Sequence, residues 1–124
     1  MSNPMLLKNM VAGGAINAFR IVKFSAADTV VLSAAATDSI VGVCNEVSPA
    51  SGERCDIIMQ GIAYVEAGAA IALGAPITSD ASGRGVTAAP AAGVNNRILG
   101  IALEAATAAG DQIRVLIELG YMQG

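Results

Sequence analysis

Short apolar runs alternate with clusters of small and turn-forming residues along most of the chain, the pattern of strands and tight turns rather than of helices. Residues 19–24 and 29–33 are β-prone runs on either side of the spacer 25–28. Residues 40–47 and 54–60 are joined by Ser48, Pro49, Ala50, Ser51 and Gly52, which predicts a hairpin. In 62–66, Ile62, Tyr64 and Glu66 alternate with small or apolar residues. Residues 77–79 and 85–87 flank a turn at 80–84. A loop of Pro, Ala and Gly at 88–96 then leads to a second large hairpin, 98–104 and 112–119. The alanines of 67–75 favour helix by propensity, but Gly68 and Gly74 interrupt them and Pro76 follows, so a compact loop or a single helical turn is expected. The predicted fold is all-β: a small barrel or sandwich of short antiparallel strands with a repeated hairpin and little or no helix.

The hairpin is repeated without a gap. Moving 40–60 forward by 58 positions places Ile40 on Ile98, Gly42 on Gly100, Glu46 on Glu104 and Gly52 on Gly110. The triplet Ile57, Ile58, Met59 falls on Val115, Leu116, Ile117. An internal repeat defines the building unit of a fold. Before Ile40 the two halves match only loosely.

Residues 1–18 differ from the rest. Met5, Leu6, Leu7, Met10 and Val11 are apolar, yet Pro4 and the pair Gly13 and Gly14 argue against helix, and a free tail is usually more polar. An extended arm that docks on a neighbouring subunit accounts for these five residues; a first strand or a simple tail accounts for them equally. The expected organisation is an arm over 1–18 and one barrel-like domain over 19–124.

With 124 residues the chain fits one domain, long enough to bury roughly two-thirds of its unfolded surface. Charged residues are 14%, where an ordinary domain carries about 25%. A bias toward Ala and Gly explains part of this, and surface covered by protein partners explains it as well. The net charge of −3 and the scatter of seven basic residues argue against a nucleic-acid partner. No apolar run approaches the roughly 20 residues of a membrane span, and the start of the chain lacks the charged and apolar segments of a secretion signal. No membrane association is expected, and synthesis in the cytosol is.

Catalytic chemistry has little to work with. The chain has no His, which removes the usual general base and the commonest metal ligand. Cys44 and Cys55 lie on opposite arms of the first hairpin, where a disulfide is geometrically possible. Buried reduced thiols are the expectation for a cytosolic chain, and two Cys without His make a poor zinc site. Glu46 and Glu104 hold matching repeat positions and invite comparison with a carboxylate pair, but no base or ligand cluster supports them. The Gly-rich turn at 80–85 opens no helix, as a phosphate loop would. No catalytic residue, cofactor site or metal site is expected. A lipoyl- or biotinyl-type carrier needs a Lys at a hairpin tip, whereas the only lysines are Lys8 and Lys23.

Order and spacing together resemble the capsid cement, or head decoration, proteins of tailed bacteriophages. The similar text runs from 21–24 and 40–43 through Gln60, Gly61 and Ile62, Tyr64 to Ala67, and Leu73 to Ile77. It continues with the 79–85 turn before Val86 and Thr87, then Ile98 to Glu104, and closes with Ala108, Ala109, Gly110 and Asp111 before the strand 113–117. The resemblance implies a small β-barrel-like structural protein of the virion exterior. Its expected partners are the major capsid protein shell, which it would stabilise after expansion, and itself, as a homotrimer or alternatively a dimer, with the host cytoplasm as the place of assembly. The alternative class is a tail- or fibre-associated module that binds host-surface carbohydrate. It is weakened by a supply of aromatics limited to Phe19, Phe24, Tyr64 and Tyr121.

Overall fold

The longest strand alternates inward and outward side chains, except at Ile57 and Ile58, where consecutive residues are both buried. A strand buried on both faces must separate two cores, and this strand does. The computed structural model describes residues 3–124, with side chains from Leu6 onward. The described residues form nine strands: β1 (Asn3–Ala12), β2 (Ile21–Ala26), β3 (Thr29–Leu32), β4 (Ile40–Cys44), β5 (Arg54–Glu66), β6 (Pro76–Ser79), β7 (Gly85–Thr87), β8 (Asn95–Ala102) and β9 (Gln112–Gln123). No helix occurs among the described residues, and 67–75 is indeed a loop.

The first five strands pair in the order β1-β3-β2-β4-β5, and β1 returns to β5 to close a five-stranded barrel. From β5 the sheet continues as β9-β8-β6-β7. Ala67, just past β5, bridges Gly85 at the start of β7 and brings the ends of this second ring together. Both rings share β5.

The repeat seen in the hairpins extends through the whole molecule. Val43 pairs with Ile58 and Cys44 with Ile57; their counterparts, Ile101 with Leu116 and Ala102 with Val115, pair in the same register. Ahead of the hairpins the offset is 55 positions. Val22 opposite Leu32 becomes Ile77 opposite Thr87, and the parallel pair Ala12 and Val30 becomes Ala67 and Gly85. Ile21 opposite Val43 becomes Pro76 opposite Ile101. The offset changes from 55 to 58 between β7 and β8. The loops after β3 and β7 are equally long, and the three extra residues are Asn95, Asn96 and Arg97, which start β8 ahead of Ile98, the counterpart of Ile40 at the start of β4.

Two cores follow. Met10, Ala12, Ile16, Val22, Val41, Cys44, Cys55 and Ile57 fill the first barrel. Their counterparts Val65, Ala67, Ile71, Ile77, Leu99, Ala102, Ile113 and Val115 fill the second. The second core also takes Ile21, Ile40, Val43 and Ile58 from the outer face of the first barrel. Burying four such side chains contributes on the order of 6–12 kcal/mol, which holds the two barrels together as one body.

Three departures from the expected boundaries shape the architecture, beyond shifts of one to three residues at other strand ends such as that of β4, which stops at Cys44 rather than at Val47. The runs 54–60 and 62–66 form one strand, because Gly61 takes a φ of 95° and carries the ladder across from β1 to β9. β8 begins at Asn95 and β9 reaches Gln123, so the last hairpin continues as a ribbon beyond the barrel. Residues 3–12, within the segment expected to be an arm, form β1 and pair with β5 from Asn3 opposite Ile62 to Val11 opposite Arg54.

Candidate functional site

The five apolar residues singled out near the N-terminus do not share one surface. Met10 is buried in the first core, held there by pairing opposite Cys55, and so faces this chain's own interior. Val11 is half-buried opposite Arg54. Leu6 and Leu7 are each 44% exposed. A register shift between them breaks the strict alternation of β1 and turns both outward. The side chain of Met5 lies outside the described residues.

The carboxylates are occupied by structural work. Glu104 accepts hydrogen bonds from the Arg114 amide and its Nε, each at 2.9 Å, and these bonds hold its carboxyl below the usual range. In the first repeat the position of Arg114 is taken by Asp56, so Glu46 has no arginine at the matching point. Asp80 Oδ1 accepts from the amides of Ser82 and Arg84 at 2.8 and 2.9 Å, which makes 80–84 an Asx-type turn between β6 and β7. Glu66 receives Arg20 at 3.3 Å and Arg84 at 3.8 Å, clamping the two barrels beside their shared strand.

Cys44 and Cys55 are buried free thiols in contact with each other, as expected of the reduced form. Burial pushes the Cys44 thiol up to about 12, with Cys55 adding to the shift, so Cys44 is a poor nucleophile at neutral pH. Cys44 Sγ donates to the Val47 carbonyl at 3.2 Å. No group of three or more His, Cys, Asp and Glu side chains converges to hold a metal among the described residues. Among the described residues no helix is long and apolar enough to cross a membrane.

What remains is surface. Along the β8–β9 ribbon, Ile101, Leu119, Tyr121 and Met122 are 40%, 46%, 70% and 37% exposed. With Pro76 and Ile98 they line a shallow groove of about 400 Å³. Arg97 stacks on Tyr121 with its guanidinium carbon 4.6 Å from the ring centre and holds the ring in place. These residues were not singled out from the sequence. The available signal was the alternation that runs on from Leu119, the expected strand end, to Tyr121.

A family model described as phage cement protein matches residues 6–117, which takes in both barrels. The chain belongs to the phage cement protein family. The resemblance read from the sequence therefore holds, and the family is one of structural phage proteins. A solved structure with the fold of this cement-family chain is the head fiber gp8.5 N base of bacteriophage phi29. Its TM-score is 0.67 at 20% identity, over 91% of this chain and 93% of that one. No curated protein matches the chain.

Proposed function

We propose that this cement-family protein is a capsid decoration subunit: it binds the outer face of the major capsid protein shell and stabilises that shell after expansion. The carrying observation is the family match over 6–117, which spans both barrels rather than a single motif. The body is suited to the task, because a clamp must be stiff and its two closed rings share an unbroken strand. The protein acts by contact, without a chemical step of its own. It assembles from the host cytoplasm onto the virion exterior, as a homotrimer. Linked copies raise effective affinity, so each shell contact can be weak. Leu6 and Leu7 on β1 offer one such apolar contact.

Purified protein mixed with emptied, expanded capsids of its phage tests this reading. Co-sedimentation at a fixed ratio to the major capsid protein, with a rise in capsid melting temperature, is the expected result. A protein that stays in the supernatant and leaves the capsid transition unmoved would overturn it. Binding to a glycan array instead would favour the host-surface module.

A further inference from the structure

The two halves of the molecule have the same fold, yet one apolar face meets opposite fates in them. On the first barrel Ile21, Ile40, Val43 and Ile58 point outward from its own core and are covered by the second barrel, at exposures of 0%, 7%, 0% and 1%. On the second barrel the equivalent positions are Pro76, Ile98, Ile101 and Leu116, fixed by the matching registers. All four are again apolar. None of these four is fully buried, and Ile101 is 40% exposed where Val43 is 0%. The same face also carries Leu119 and Met122, and among the described residues Glu118 and the Tyr121-stacked Arg97 are the charges that border it.

We propose that this face of the second barrel, centred on Ile101, is the surface on which a second copy of this chain docks. The occupant follows from the molecule itself. In the first half, the element that covers this face is a barrel of the same fold, so the face has a shape and an apolar pattern that such a barrel fits. Another copy supplies that barrel. A contiguous apolar patch on a small domain with few charges is the expected mark of such an interface. The assignment rests on the self-association part of the reading above and not on shell binding.

The test is solution mass by light scattering across a concentration series, for wild type, Ile101→Glu and Tyr121→Lys. Wild type should run at a multiple of the 12.3 kDa chain mass. Ile101→Glu should run at the mass of one chain while keeping the wild-type far-UV circular dichroism. Tyr121→Lys lies on the ribbon outside both cores, and it should raise the dissociation constant at least tenfold even if Ile101→Glu fails to fold. A wild type that is monomeric at every concentration would overturn this proposal together with the trimer. Variants that keep the wild-type mass would overturn this surface alone. A monomeric wild type whose capsid co-sedimentation is abolished by Ile101→Glu would assign the face to the shell instead, leaving the decoration reading intact.

Discussion

Gly42 and Gly100 occupy equivalent points in the two barrels, and the reason for glycine is the same at both. A Cβ at Gly42 would collide with the carbonyl oxygen of Ile58, and one at Gly100 with that of Leu116. Each glycine lets its strand cross close over the neighbouring one. Gly100→Ala should therefore lower stability by about 1–3 kcal/mol in urea denaturation, with a similar loss for Gly42→Ala; unchanged midpoints would mean that the facing carbonyls move aside freely. Backbone conformation repeats as faithfully. Phe19 and Asp28 hold positive φ values of 64° and 55°, and their counterparts are Gly74 and Gly83 at 82° and 77°. Asp28 gains only an exposed ion pair with Lys8, so Asp28→Gly should leave stability unchanged or raised by up to about 1 kcal/mol. Gly83→Ala should be the damaging direction, because its Cβ would meet the Ile21 carbonyl at 2.9 Å. Equal melting temperatures for Gly83→Ala and wild type would refute that account.

Charge at single residues sets the pH limits. Burial opposes ionisation of Asp38, but the Ala34 amide, the Lys23 ammonium and the Ala35 amide outweigh it and hold the carboxyl low. Asp111 is held low by the Thr107 amide and hydroxyl, then by the Ala108 amide. Folding therefore releases protons in the acid range. Stability from these groups is complete above the ordinary carboxylate range and is lost as pH falls from about 5 toward 2. Asp38→Asn should flatten that acid loss in a series of thermal melts. Cys44 acts at the other end: its raised folded pKa gives stability present below about pH 9 and lost above it.

Among the elements, β5 decides the architecture, and its role was only half visible in the sequence. The offset of 58 exposed the hairpins because glycines, turn residues and apolar triplets all coincide. The earlier part of the repeat was hidden by its different offset and by substitutions such as Val30 for Gly85 and Phe24 for Ser79. Its trace is the recurrence of Ala12, Gly13, Ala15 and Ile16 as Ala67, Gly68, Ala70 and Ile71. The strand identity of β1 was left open because Pro4 and the glycine pair obscure the alternation of its apolar residues. As for surface, Met10 could not be told from Leu7 without a partner strand to fix the inward face. The asymmetry between equivalent positions is measurable. Ile58→Ala removes a side chain buried between both barrels and should cost about 2–5 kcal/mol. Leu116→Ala, at the half-buried counterpart, should cost less than half as much in solutions dilute enough to hold single chains. Equal costs there would contradict the burial difference.

At the scale of the whole molecule, two cores that share β5 and interlock through Ile21, Ile40, Val43 and Ile58 should melt as one unit. Far-UV circular dichroism and the fluorescence of Tyr64, which packs edge-on against Phe19 at 6.5 Å across the two halves, should give coincident transitions. Two separated transitions would show that the barrels unfold independently. The cover over the first barrel also has a consequence in time. A ribosome delivers the first ring before the second exists, so the growing chain carries Ile21, Ile40, Val43 and Ile58 uncovered until roughly another 60 residues have emerged, about 3–12 s at bacterial elongation rates. Through that interval nascent chains on one polysome present matching bare faces to one another, and overproduction in a host cell should favour slow, cool synthesis over fast.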